Sequence, residues 1–206
     1  MTLMTLYSYI VTSDTGFSPN PFFGYCTLAC CKPEIRHNAQ AGDWVVGLTP
    51  KAQGNKVVYY MRVDEVIDFG RYWSDRRFLQ KKPRYDKDVR LRCGDNIYEP
   101  VPNAGFRQLP SQHSNGEDED PERKEHDLGG RNVLISEAFA YFGSNCLTLP
   151  PELECLMVGR GHRCRFPDDV KTQFLEFVRQ SGFGIHGPPR KWPGNDKSWK
   201  SVACGN

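Results

Sequence analysis

The chain reads as an α+β domain, with a mixed or antiparallel sheet carrying one or two helices and long loops. Three observations predict this class. Apolar runs of strand length, rich in β-branched and aromatic residues, recur along the chain, most clearly in "LYSYIVTSD" and "NKVVYYMRVDEVI". Only "PDDVKTQFLEFVRQSGFG" combines apolar residues at helical spacing with signals at both ends. The stretches between are punctuated by 19 Gly and 15 Pro in 206 residues, which interrupt both kinds of element. A chain of this length suits one domain over 1–206 and buries enough surface to fold without staples.

Each element follows from its own residues. "LYSYIVTSD" alternates and makes a first strand. The segment Asp14–Pro33, "DTGFSPNPFFGYCTLACCKP", packs three prolines and three cysteines into twenty residues; it is a loop, with a helical turn expected at "CTLACC". "AGDWVVGLTP" is a turn, a short strand and a stop. "NKVVYYMRVDEVI", entered through a Gly-Asn turn, is a long strand that forms a hairpin or meander with its predecessor. "YWSDRRFLQKKP" is equally defensible as a short helix or an extended basic loop. "VRLRCGDNIYEPV" suggests a strand pair around Gly94–Asn96. The segment of about 111–131, "PSQHSNGEDEDPERKEHDLGG", is polar and charged and reads as an exposed insertion. "NVLISEAFAYFG" restarts the core as a strand running into an aromatic turn. In the helix, Pro167 and Asp168 suit the first turn, Val170, Phe174, Phe177 and Val178 form the apolar face, and Gly182 lies beyond the end. Residues 187–206 form an extended basic tail.

The charge is unevenly spread. Arg71 to Arg92 holds nine Lys/Arg against three Asp, and Val158 to Lys200 nine against four acids. Glu117 to Asp127 holds seven acids against two bases. Basic tracts interleaved with aromatics fit phosphate neutralisation and base stacking, so DNA is the expected partner, with RNA or a free nucleotide as alternatives. No stretch has the length of a membrane span and the N-terminus lacks a basic n-region, which points to a cytoplasmic protein with reduced thiols and no membrane contact. Among eight cysteines, paired C-x-x-C knuckles are missing; buried cysteines acting as small hydrophobes outweigh a ligand set from Cys26, Cys30, His162 and Cys164. Phosphate-binding, dinucleotide and zinc-protease motifs are missing too, so neither a metal nor a cofactor is expected.

The opening loop carries chemistry. Pro19, Pro21 and Gly24 restrict it. Asp14, Thr15 and Asn20 offer hydrogen bonds, and Phe17, Phe22 and Tyr25 offer flat faces, an inventory suited to holding a base. Trp44 and Tyr141 are either core or pocket wall. Tyr72, Trp73, Arg76 and Arg77 are candidates for stacking and phosphate contact, as are Lys32, Arg36, Arg160 and Arg163, while Asn96 suits a base edge. Candidate catalytic groups are Cys26, Asp14, Asp95, His162 and His186. A thiol nucleophile is sought at Cys26 or at Cys31, next to Lys32.

The residues "DTGFSPNPF.GYCTLACCKP.IR", "GDWVVG", "YW..RRF", "GDN", "YFG", "GRGHR" and "GIHGPP" together resemble the nucleotide modification associated domain 2 family, from about Tyr7 to Pro189. The resemblance implies a place in DNA base hypermodification, in bacteria or phage, alongside other modification proteins. The stretch "GDWVVGLTPKAQGNKVVYYMRVDEVIDFGRYW" is also similar to the core of PUA-like domains such as EVE and ASCH, which implies a β-barrel core that holds a modified or flipped base. Three functions follow as expectations: a module binding such a base in an aromatic pocket with a basic rim; an enzyme acting on a base in DNA or on a nucleotide precursor; or an interaction protein docking through Glu117–Asp127.

Overall fold

A computed structural model describes residues 4–85 and 88–194. The elements in chain order are β1 (Leu6–Ile10), β2 (Cys26–Leu28), α1 (Pro33–Asn38), β3 (Trp44–Leu48), β4 (Val57–Arg62), β5 (Glu65–Asp68), α2 (Phe69–Ser74), β6 (Tyr98–Val101), β7 (Gly105–Gln108), α3 (Pro121–Gly129), β8 (Asn132–Ser136), β9 (Phe139–Tyr141), β10 (His162–Arg163), α4 (Asp168–Ser181) and β11 (Gly184–Ile185), with short 3₁₀ turns between. The α+β class is as expected.

A six-stranded mixed sheet runs β10-β1-β3-β4-β9-β11, and a smaller antiparallel sheet runs β2-β8-β5. The large sheet is open, ending at β10 and β11. It does not close into a barrel, so the PUA-like barrel is not this architecture. Strand alternation sorts side chains onto two faces. Leu6, Val46, Tyr60 and Trp44 pack under Val170, Phe174 and Val178 of α4. Tyr7, Tyr9, Val45, Tyr59 and Met61 face the small sheet, against Cys26, Leu28 and Leu134. The far side of the small sheet, with Val133 and Ile135, packs on Phe69, Tyr72 and Tyr98 from α2 and the β6–β7 hairpin. The small sheet therefore lies between the large sheet on one side and α2 with the hairpin on the other.

Alongside that layering stand five departures from the sequence reading. "NKVVYYMRVDEVI" divides, β4 joining the large sheet and β5 the small one; "NVLISEAFAYFG" divides likewise into β8 and β9. "CTL" is strand β2 rather than a helical turn, because Thr27 pairs with Ile135 of β8. Val89–Cys93 is a 3₁₀ turn, and Gly94–Asn96 is buried instead of capping a hairpin. The segment 111–131 is only partly exposed: Ser111, Gln112, His113, Ser114 and Asp127 are buried, and α3 occupies its second half. Of the tail, only the residues up to 194 fall within the description; among them Trp192 stacks on Phe22.

Candidate active site

Three residues beyond β2 the chain reverses into α1. Cys31 and Lys32 both take left-handed backbone, φ 60° and 44°, which costs a non-glycine residue of order 1–3 kcal/mol and persists only where the surroundings enforce it. The enforcing contacts are specific. The Cys31 amide donates to Asp127 Oδ1 at 2.6 Å, and the Cys31 carbonyl accepts from Arg36 Nε at 2.7 Å. Arg36 also donates to the carbonyls of Asn132 and Asp127, so one buried guanidinium ties α1, α3 and β8 around the turn. Space for it is kept by Gly130, where a Cβ would lie 2.5 Å from Arg36 Cζ.

The reversal brings Cys31 Sγ to 3.6 Å from His113 Nε2. The other ring nitrogen, His113 Nδ1, meets Asp127 Oδ2 at 2.6 Å, and the Tyr98 hydroxyl donates to the same oxygen at 2.8 Å. Phe17 packs beside the ring at 4.8 Å between centroids. Burial alone would raise the Asp127 carboxyl, but the His113 ring, the Arg36 guanidinium and the Cys31 amide outweigh it and hold the group well below the usual carboxylate range. An ionised Asp127 only accepts, so Nδ1 donates to it, and Nε2 is the ring nitrogen that faces the sulfur. Sulfur, imidazole and carboxylate thus stand in the order of a nucleophile, its base and the group that orients the base. Exposure rises along that order in reverse, from 0% at Asp127 and 1% at His113 to 6% at Cys31. In this structure Cys31 is disulfide-bonded, a departure from the reduced thiols expected of the sequence, so its nucleophilic form is the reduced one.

Residues 3–196 match the family model described as nucleotide modification associated domain 2. The chain belongs to that family. Its setting is therefore nucleotide modification, and the cysteine, histidine and carboxylate lie inside the matched residues. No curated protein and no solved structure matches the chain. Among the described residues no helix is long and apolar enough to cross a membrane.

With Cys30 in place of Cys31, the cluster has the residue types of a metal centre. Cys30, His113 and Asp127 place ligand atoms within 4.8 Å of one another. Two ligands of a tetrahedral zinc, at bonds of about 2.0–2.1 Å, stand roughly 3.3 Å apart. The 2.6 Å between His113 Nδ1 and Asp127 Oδ2 is a hydrogen bond instead, and both carboxylate oxygens already accept from protein donors. His113 and Asp127 are bonded to each other and do not fit a cage.

The other candidates from the sequence go to several separate places. Cys26 sits in β2 and its thiol is pushed up to about 12 by burial; a thiol held neutral is a weak nucleophile, which favours Cys31. Asp95 accepts from the Thr27 and Tyr72 hydroxyls, both at 2.7 Å, and Asn96 donates to the carbonyls of Tyr72 and Phe78. Asn20 donates to the Cys93 carbonyl, and its own oxygens receive Lys81 Nζ. The Thr15 carbonyl receives the Cys93 thiol. Asp14 accepts from the Tyr141 hydroxyl and the Arg190 amide. Burial raises both Asp14 and Asp95. These groups are paired within the protein. Trp44, Tyr72 and Tyr141 fall in three different core clusters and share no wall.

His162 is half-buried in β10, 6.2 Å from the Tyr7 ring, and His186 stacks on Phe142 at 4.9 Å. Arg160 is exposed, and Arg163 lies over Phe166. Arg36 is fully buried and Lys32 sits 5.3 Å over the Tyr9 ring. Arg76 is exposed; Arg77 pairs with Glu65 and Asp75, and Trp73 lies under Lys82. His113 and Asp127 escaped the sequence reading because they sit in a tract whose composition looks solvated.

Proposed function

We propose that the chain is a cysteine-dependent enzyme of a nucleotide-modification system, acting on a base in DNA or on a nucleotide precursor. The observation that carries this is the 3.6 Å approach of Cys31 Sγ to His113 Nε2 with Asp127 on the opposite ring nitrogen. In the reduced protein His113 Nε2 takes the thiol proton as the sulfur attacks an electrophilic carbon of the substrate. Asp127 keeps the ring in the required tautomer and stabilises the imidazolium that forms. The same proton is then available to the leaving group.

DNA is the favoured bearer of the base, since the basic segment is fastened to the nucleophile's loop. Lys81 Nζ donates to the Tyr25 carbonyl as well as to Asn20, Arg77 lies over Tyr25 and Arg90 over Phe23, and Arg71, Arg76 and Arg84 are exposed nearby in sequence. A strand held there by its phosphates lies against the segment that leads through β2 to Cys31. A base turned out of that strand, a modified one included, is the group this reading brings to the sulfur, and other proteins of the modification system supply or consume it.

The test is mass spectrometry of nucleosides from DNA, and of the free nucleotide pool, in cells carrying the modification genes with wild type, Cys31→Ala or His113→Ala. A nucleoside whose mass or abundance changes in both variants supports the enzyme, and the fraction in which it changes separates polymer from precursor. Identical profiles in all three would remove catalysis. For the DNA contact, affinity for duplex and single strands across salt should fall with a negative slope; a flat response leaves the free nucleotide as substrate.

A further inference from the structure

The turn that carries His113 holds a second unexplained group. Gln112 is 2% exposed, and its Nε2 is buried without a hydrogen-bond partner. Its neighbours are not in that position. Ser111 Oγ accepts from the His113 amide, and Ser114 Oγ accepts from the Ser111 amide while donating to the Gly116 carbonyl. Gln108 donates to the His113 carbonyl and accepts from the Asp120 amide. A loop that pairs these polar atoms and leaves one buried amide donor open, one residue from the base of a candidate triad, is provisioned for an acceptor that arrives with the substrate.

We infer that Gln112 Nε2 is the donor for the substrate oxygen on which charge develops when Cys31 attacks, which makes the electrophile a carbonyl and the reaction acyl transfer. The inference rests on the reading of Cys31 as nucleophile and adds the class of bond broken. The Cys31 S–H proton passes to His113 Nε2, the sulfur–carbon bond forms, and the carbonyl π pair moves onto oxygen against Gln112. Collapse expels an amine or alkoxide, which takes the proton back from His113, and leaves an S-acyl group on Cys31. Water or an acceptor amine releases that group and restores the thiol.

Two small electrophiles separate the claims in the full-length reduced protein. Iodoacetamide alkylates a thiolate by displacement without forming an oxyanion; p-nitrophenyl acetate acylates it through one. Modification at Cys31 is read by peptide mass mapping, and the ratio of acylation to alkylation rates is taken within each sample, so that a partly unfolded variant does not distort it. In Gln112→Ala and the near-isosteric Gln112→Met the ratio should fall about 100-fold, the usual effect of losing one oxyanion donor. A ratio within threefold of wild type overturns the role of Gln112 while leaving Cys31 a nucleophile. If Cys31 of the wild type reacts with neither probe faster than the other cysteines, the nucleophile reading fails, and this inference with it.

Discussion

Replacing Asp127 by Asn tests the centre of the structure, because one carboxylate supports both the backbone of Cys31 and the ring of His113. Oδ1 accepts from the Cys31 amide and Oδ2 from His113 Nδ1 and the Tyr98 hydroxyl. Hydrogen bonds to a charged group contribute about 1.5–3 kcal/mol against about 0.5–1.5 for neutral pairs. Three such bonds lowered to neutral strength give a loss of about 3 kcal/mol, measurable as a lower urea midpoint at unchanged slope. The pH dependence has a definite sign. Asp127 is held below its unfolded value, so its contribution is complete above about pH 4 and fades as acid protonates the folded group. The gap between wild type and Asp127→Asn should therefore be constant from pH 8 to 5 and narrow below 4. The amide also offers N–H to Nδ1, which moves the ring proton to Nε2 and leaves no base facing the sulfur. Alkylation of reduced Cys31 should slow by about 100-fold or more. A stability change under about 1 kcal/mol, together with unchanged labelling, would refute the assignment.

Gly130→Ala drives a methyl group into Arg36 Cζ at 2.5 Å, and since that guanidinium is held on three carbonyls it cannot swing away freely; a loss of about 2–3 kcal/mol with slower Cys31 labelling is expected by denaturant titration and mass mapping. Lys81 is drawn down to about 8 by burial, Asp95 and Cys26 opposing. Between pH 8 and about 10.4 the unfolded chain binds the extra proton, so this group's contribution grows with pH. The stability of wild type relative to Lys81→Met should thus climb by about 2–3 kcal/mol over that window, whereas Cys26, pushed up to about 12, works the other way in both proteins; a flat difference contradicts the burial argument. Glu65→Gln removes a partner from Arg77, but that pair is about a third exposed, so the cost should stay under about 1 kcal/mol and vanish in high salt.

What the sequence made legible was local. β1 announces itself by alternation, β3 and β4 by apolar, β-branched and aromatic runs beside turn signals, and α4 by Val170, Phe174 and Val178 on one face between Pro167 and Gly182. A run such as "NVLISEAFAYFG" gives no local sign that Glu137 and Ala138 take it from one sheet to another, since both halves are equally apolar and the turn is held by Asp64, 73 residues away, accepting from the Glu137 amide. The site is the extreme case. Cys31 meets His113 across 82 positions and Asp127 across 96. Polar residues read as solvated when their partners are distant in sequence: Ser111, Gln112, His113, Ser114 and Asp127 look like a surface loop because composition cannot register that Tyr98, Gln108 and Arg36 arrive to pair them.

The loop Asp14–Pro33 resolves the same way. Its prolines and aromatics predict a base-binding surface through Asp14, Thr15 and Asn20, yet the side chains of Asp14 and Asn20 and the carbonyl of Thr15 are engaged inside the protein. What the loop delivers is its far end. Phe17 packs on the His113 ring, Ser18 Oγ donates to the Cys30 carbonyl, and β2 anchors the strand that leads to the reversal at Cys31. Two consecutive left-handed residues are a poor choice for a purely structural turn, where glycine would relieve the strain. Cysteine at the first of them, aimed at an oriented histidine, ties the cost of the conformation to the position of one sulfur atom. The expectation is concrete: Lys32→Gly should leave the fold intact or firmer while loosening that aim, so that stability holds and Cys31 alkylation slows. A variant that gained stability with labelling undiminished would mean that the strain serves packing alone.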